Sequence, residues 1–174
     1  GTVSRVDANA NTVETDFETF QSSAINIIPP QKAAFIADRA GVTDATGWCP
    51  IDPLTFASTL QPDIHVIGDA TIAAPMPKSA FSANLQGKVC AMAVARTLSG
   101  LEALPTVLAN TCYSYTTPDE AISIAGVYRN ADGKLQSVSG AGGVSPLAAD
   151  KAIRQAEAAQ AAHWFETITA EAFG

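Results

Sequence analysis

The sequence predicts an α/β fold that changes to an α+β arrangement towards the C-terminus. Residues 63–70 are an apolar strand pattern ending in a Gly-Asp turn, and residues 79–98 carry apolar side chains at helical spacing, which together indicate a β-turn-α unit. Three strand patterns separated by short turns lie between residues 111 and 138, and an Ala-rich helical segment covers 148–172. An antiparallel meander followed by a helix is the expected C-terminal structure.

The first sixty residues contain four short strand patterns and one helical pattern, each bounded by turn residues. The strand patterns lie at residues 3–7, 12–15, 23–28 and 54–59. The first two predict a hairpin, and the third predicts a more buried strand that ends at Pro29 and Pro30. The helical pattern covers residues 31–40, and Gly41 follows where a helix usually ends.

The second half of the chain is predicted to hold two long helices and the meander. The first helix begins at Lys78 or Ser79, just after a Pro-rich step, and ends before Gly100. The meander strands are predicted at residues 111–116, 122–129 and 134–138. Ser145 and Pro146 predict the N-cap and first turn of the last helix.

Composition and charge exclude several classes of protein. The 174 residues are 47% hydrophobic, which is enough to bury a sizeable core. The net charge is −7 and the ten Lys and Arg residues are scattered, which argues against a nucleic-acid partner and favours a basic one. No apolar run has the length of a membrane span, and the three cysteines lack metal-ligand spacing, so neither a membrane span nor a metal site is expected.

The Gly68-Asp69 turn suggests half of a flavin dinucleotide site. Gly68 lets the backbone approach a ligand closely, and the Asp69 carboxylate can accept hydrogen bonds from sugar-like hydroxyls. An ordinary buried strand ending in a turn explains this segment equally well. A dinucleotide also needs a G-x-G-x-x-G turn, which the sequence does not contain, so we expect this chain to be the C-terminal part of a larger protein.

The cysteines and tryptophans supply further candidates. Cys49 lies between Trp48 and Pro50 in an irregular loop, which favours a presented sulfur over a packed one. Cys90 has the surroundings of a packed helical residue, and Cys112, at the start of a strand, remains undecided. Trp164 alone indicates an anchor on an amphipathic helix.

Several stretches together resemble the flavoprotein subunit of flavocytochrome c sulfide dehydrogenase, which is related to sulfide:quinone reductases and glutathione-reductase-like flavoenzymes. The stretches that carry the resemblance are Ile25-Asn26-Ile27-Ile28-Pro29-Pro30-Gln31, Gly47-Trp48-Cys49-Pro50, His65-Val66-Ile67-Gly68-Asp69-Ala70, Pro75-Met76-Pro77-Lys78-Ser79, Ser82-Ala83-Asn84, Gln86-Gly87-Lys88-Val89, Asn110-Thr111-Cys112-Tyr113-Ser114 and Gly142-Gly143-Val144-Ser145-Pro146-Leu147. The Gly-Asp pair alone is weak evidence, whereas the combination is specific.

The resemblance implies the C-terminal part of a two-lobed FAD enzyme. Residues 1–60 would be the end of the second, NAD-like α/β lobe and its connection, and residues 61–104 the end of the FAD-binding lobe. Residues 105–174 would form the C-terminal domain peculiar to this family. The remaining N-terminal half of the polypeptide would precede Gly1, so the FAD site in this chain would be incomplete.

The resemblance also implies roles for individual residues. Gly68 and Asp69 would hold the FAD ribityl chain. The helix start at Lys78, Ser79 and Ala80 would face the flavin pyrimidine. The two catalytic candidates are Cys49 and Trp164. Cys49 would be one partner of a redox-active disulfide whose other cysteine lies outside this chain, and Trp164 would flank the flavin.

The implied activity is periplasmic oxidation of sulfide. Hydrosulfide would attack the disulfide next to the flavin, and electrons would pass to a c-type cytochrome subunit, the only subunit to carry haem. This chain alone is expected to be inactive. Two alternatives remain open: a non-catalytic docking or dimerisation module, and an enzyme of the sulfide:quinone reductase type.

Overall fold

The computed structural model describes residues 2–174 and divides the chain into two compact units, Gly1–Gln31 and Lys32–Gly174. The boundary falls within the predicted segment 1–60. The segment boundaries after residues 60 and 104 stay predictions.

The first unit is a three-stranded antiparallel sheet in the order β1-β2-β3. Its strands are β1 (Val3–Asp7), β2 (Thr12–Thr15) and β3 (Thr19–Gln21). The predicted hairpin is confirmed, but the strand predicted at residues 23–28 is wrong. The chain reverses directly after β2, where the Thr15 N–H donates to the Glu18 carbonyl at 2.9 Å, so the third strand pairs earlier than the apolar pattern suggested.

The second unit combines three helices with two small sheets. Its elements are α1 (Phe35–Arg39), β4 (Cys49–Pro50), a 3₁₀ turn (Gly68–Ala70), β5 (Thr71–Ile72), α2 (Ala80–Leu98), β6 (Val107–Thr117), β7 (Glu120–Ala131), β8 (Lys134–Ser137), β9 (Gly143–Val144) and α3 (Lys151–Phe173). Strands β4 and β5 pair in parallel. The other sheet is the antiparallel meander β6-β7-β8, with β9 also paired to β7. The predicted α+β class, the meander and the terminal helix are confirmed.

Helix α2 begins where the sequence predicts. The Ser79 side chain caps it by accepting the Ser82 N–H at 3.1 Å. Its buried residues recur at intervals of four, three and four, at Ser82, Gln86, Val89 and Ala93, so one face packs against the rest of the unit. Gly100 follows the helix with φ +70°, a conformation that glycine adopts without steric cost.

Two predicted strands are not formed. Residues 63–70 contain a single antiparallel bridge, His65 to Ala57, and then the 3₁₀ turn. An apolar run becomes a strand only beside a neighbouring strand, and within residues 2–174 this segment has that single bridge. Residues 53–55 form a turn, because the Asp52 carboxylate accepts the Leu54 N–H at 2.9 Å, and Ala57 and Ser58 make only isolated bridges, to His65 and Ile51.

Two helix starts also differ from the prediction. Helix α1 begins at Phe35 rather than near residue 31, because Ala34 is extended and the Ala33 N–H donates to the Gly47 carbonyl. Helix α3 is capped by Asp150, whose carboxylate accepts the Ile153 N–H at 2.9 Å, and not by Ser145.

The main core of the second unit lies where α2 meets the meander. Its buried members are Ile51, Phe56, Ala73, Met76, Val89, Leu108, Tyr128 and Leu135. Cys90 packs against this cluster, which confirms its predicted packing role. The core therefore fixes α2 against β6, the two elements that bring the candidate residues together.

No helix within residues 2–174 combines the length and the apolar character needed to cross a bilayer.

Glu157 joins α3 to the meander. Its Oε1 accepts hydrogen bonds from Ser123 Oγ at 2.9 Å and from Ser145 Oγ, and its Oε2 lies 3.6 Å from Nη1 of Arg154. The Ser145 hydrogen bond is the largest of the contacts that hold the pKa of Glu157 below its ordinary value, followed by those from Ser123 and Arg154. The interaction explains why Ser145 does not cap the helix.

We expect Glu157 to make the fold sensitive to acid. Because its pKa is lowered in the folded state, the unfolded chain binds the proton first, and the free energy of unfolding decreases as pH falls below the ordinary value of 4.5. Glu157→Gln should therefore lose less of its free energy of unfolding than the wild type between about pH 5 and pH 3 in urea titrations. Glu102→Gln, a change at an exposed position, serves as control. Equal decreases in the wild type and Glu157→Gln would contradict the prediction.

Candidate functional site

The start of α2 borders two cavities of the second unit. The turn cavity, of about 250 Å³, is lined by Trp48, Gly68, Asp69, Lys78 and Gln86, among others. The aromatic cleft, of about 550 Å³, has three walls: the start of α2 at residues 79–81, β6 at residues 111–115, and α3 at residues 161–166. Its volume falls within the range of roughly 300–1,000 Å³ typical of small-molecule sites.

Gln86 holds the Gly68 turn in place. Gly68 has φ +73°, and its N–H donates to Gln86 Oε1 at 2.7 Å. The Gly68 carbonyl accepts Thr71 Oγ1 at 2.8 Å. Since Gln86 is only 2% exposed, α2 fixes the turn from the inside, while the exposed residue Asp69 lines the cavity.

Lys78 closes the turn cavity on another side. Its ammonium donates to the Thr71 carbonyl at 2.8 Å and to the Asp69 carbonyl, and it lies 3.8 Å from the centre of the Trp48 ring. Partial burial lowers the pKa of Lys78, and the nearby Asp69 carboxylate opposes this shift. The lysine thus acts as a cap on the 69–71 backbone rather than as a free surface charge.

Trp164 forms the aromatic wall of the cleft. Its ring stacks on Phe81 of α2 with the ring centres 5.5 Å apart and an interplanar angle of 15°. The C-terminal end of α3 is held against α2 by Glu171, which lies 2.8 Å from Lys88 Nζ and accepts Asn84 Nδ2 at 3.2 Å. The two helices therefore present a fixed aromatic surface.

The first turn of α2 gives the cleft a positive electrostatic character. The first amides of a helix have no carbonyl partner within it, and together they carry about half a positive charge. Ser79 Oγ accepts the Ser82 N–H, while Ser79 and Ala80 themselves line the cleft. This end of the cleft suits a ligand that carries negative charge.

Strand β6 brings a sulfur into the cleft. Burial alternates at the start of the strand, where Leu108 and Asn110 are buried, and Cys112 follows at the same two-residue spacing and so lies on the same face. Leu108 belongs to the core with Val89, and Asn110 contacts the helix cap at Ser79. Two residues further along, Cys112 lines the cleft at the N-terminal end of α2.

Cys49 is packed rather than presented. It is 0% exposed and lies in a small cluster with Ala33 and Val42, while its strand pairs with β5 at Thr71. Burial raises the pKa of its thiol, and nearby Lys78 opposes this shift. The expected presented sulfur is wrong at this position, because the parallel β4–β5 pairing carries the loop into the interior.

The structure thus distributes the predicted site residues over two cavities. Gly68, Asp69 and Lys78 lie in the turn cavity, whereas Ser79, Ala80 and Trp164 line the aromatic cleft, to which Cys49 does not contribute. Three further residues of the site, Gln86, Asn110 and Cys112, were assigned no role from the sequence. For Gln86 and Asn110, a polar amide within an apolar helix or strand pattern could have indicated a buried hydrogen-bonding group.

A comparison with known families bears directly on the cleft. Residues 105–173 match the family model described as flavocytochrome c sulphide dehydrogenase, flavin-binding. Over these 69 residues the chain is similar to that family. The match runs from just before β6 to the end of α3, so the matched segment supplies two of the three walls of the cleft, with α2 as the third. The family is one of flavin-dependent oxidoreductases, and its cofactor is a flavin.

Proposed function

We propose that the aromatic cleft binds the isoalloxazine ring of FAD. The observation that carries this proposal is that β6 and α3, two walls of the cleft, belong to the segment that matches a flavin-binding family. The residues fit the group: a flat aromatic ring can stack beside Trp164, and its pyrimidine edge, which becomes negatively charged on reduction, suits the N-terminal turn of α2.

We propose that the rest of the cofactor extends towards the turn cavity. Gly68 offers close backbone approach and Asp69 offers a carboxylate to the ribityl hydroxyls, while both cavities share the start of α2. The pyrophosphate needs a Gly-rich turn that this sequence lacks, so it is assigned to a segment N-terminal to this chain.

The proposed reaction is the oxidation of sulfide, with Cys112 as the sulfur that faces the flavin. Cys112 is a free thiol that lines the cleft, whereas Cys49 is buried outside it. In the oxidised enzyme, Cys112 would form a disulfide with a cysteine of the N-terminal segment. Hydrosulfide attacks that disulfide, a new S–S bond forms to one sulfur, and the other leaves as a thiolate.

A bound flavin would supply the two-electron acceptor for this oxidation, and the proposed final acceptor of the electrons is a c-type cytochrome subunit. The net charge of −7 favours a basic surface on that partner. The proposed location is the periplasm.

We expect Trp164→Ala to weaken flavin binding. An aromatic stacking partner contributes about 0.5–1.5 kcal/mol beyond the area it buries, so the dissociation constant should rise about tenfold. Riboflavin and FAD titrations, followed by quenching of flavin fluorescence, measure the change.

Trp164→Phe is the matched control, because it keeps an aromatic ring at the same position and should retain most of the affinity. Unchanged affinity in Trp164→Ala would place the flavin elsewhere. A wild-type chain that binds a basic cytochrome c but no flavin would favour a docking module over a cofactor domain.

A further inference from the structure

Asn110 is a buried amide that connects the cap of α2 to the cleft cysteine. It is 2% exposed and lies on β6, two residues before Cys112 and on the same face of the strand. Its Oδ1 accepts hydrogen bonds from Ser79 Oγ and, at 3.2 Å, from Ser82 Oγ. Its Nδ2 lies 3.4 Å from Cys112 Sγ.

The hydrogen bonds at the helix cap determine how this amide is oriented. Ser79 Oγ already accepts the Ser82 N–H, so its own proton is available for Asn110 Oδ1. With the carbonyl oxygen engaged by both serines, the NH₂ group is directed to the sulfur of Cys112. One side chain therefore fixes both the helix start and the sulfur.

We propose that Asn110 is a positioning residue that controls the reactivity of the Cys112 sulfur. A donated N–H holds the sulfur at the cleft and stabilises the negative charge that sulfur carries as nucleophile or leaving group in thiol–disulfide exchange. Cys112 Sγ also lies 3.8 Å from Asn110 Oδ1, so the thiol S–H can donate a hydrogen bond to the same amide. The role of Cys112 in sulfide oxidation rests on the proposed function, whereas the effect of Asn110 on the reactivity of this sulfur does not.

The alkylation rate of Cys112 tests the proposal independently of flavin or sulfide. Asn110→Asp keeps an acceptor for Ser79 and Ser82 but replaces the donor to sulfur with a negatively charged oxygen. Alkylation of Cys112 by iodoacetamide, followed by peptide mass spectrometry, should slow about tenfold, as expected for loss of a hydrogen bond to a charged group. Cys90 reports general changes in thiol reactivity within the same molecule.

Asn26→Asp is the matched control, because it makes the same change at an exposed position of the first unit, outside the cleft. It should leave the Cys112 rate unchanged. Circular dichroism and urea midpoints show whether each variant is folded. If Asn110→Asp does not fold, Asn110→Ser, which is uncharged and too short to reach the sulfur as Asn110 does, should slow Cys112 in the same direction.

An unchanged Cys112 rate in a folded Asn110 variant would overturn the proposal. Failure of the proposed function would appear differently, as an absence of flavin binding by the wild type while the Asn110 variants still slow alkylation of Cys112.

Discussion

Cys112→Ala in the FAD-loaded flavoprotein that contains this chain is expected to lower sulfide-dependent reduction of cytochrome c by at least about 10³-fold, as is typical for loss of a catalytic sulfur or hydroxyl nucleophile. The reason is geometric: Cys112 lines the cleft between α2, β6 and α3 that also contains Trp164. Without its sulfur the disulfide attacked by hydrosulfide cannot form. Flavin should remain bound, as its absorbance spectrum would show.

Cys49→Ala provides the contrast. Cys49 packs among Ala33 and Val42 and does not line the cleft, so alanine at this position should cost some stability and leave most of the activity. Loss of activity in Cys49→Ala with full activity in Cys112→Ala would reverse the assignment and restore Cys49 as the redox sulfur.

Phe56→Ala is expected to lower the free energy of unfolding by about 3–5 kcal/mol, the usual cost of truncating a buried phenylalanine. Phe56 is 0% exposed in the main core. Its carbonyl also accepts the Val66 N–H at 2.9 Å, which ties the core to the chain leading into the Gly68 turn. Urea denaturation measures the loss.

Phe173→Ala is the control for this prediction, because that side chain is 89% exposed at the end of α3. It should change the free energy of unfolding by about 0.5 kcal/mol or less. A loss below about 1 kcal/mol in Phe56→Ala would contradict the described core.

Local signals predicted that the helices and the meander exist, although they placed the starts of α1 and α3 too early. The start of α2 and the turn before Lys134 were predicted because both depend on residues within a few positions of one another. The strand predicted at residues 63–70 was wrong. The segment is apolar as the pattern indicates, but strand pairing depends on neighbouring strands that no local pattern specifies. The same limit applies to residues 54–59, where the Asp52 turn leaves only isolated bridges at Ala57 and Ser58.

The candidate site was harder to predict because its walls are distant in sequence. Trp164 and the start of α2 entered the prediction through the resemblance, and the structure places both at one cleft. Cys112 could not be assigned from its strand, because its environment arises only when α2 packs against β6. Cys49 was misjudged for the converse reason: an irregular loop suggested exposure, but strand pairing buries it.

The measurement that tests the flavin cleft most directly is alkylation of Cys112 in this chain, where it is a free thiol, with and without saturating FAD. Flavin binding is followed by fluorescence in the same samples. Flavin in the cleft should cover this sulfur, so Cys112 labelling should fall on binding while Cys90 labelling stays constant. Bound flavin together with undiminished labelling of Cys112 would show that the cofactor lies elsewhere and would contradict the proposed site.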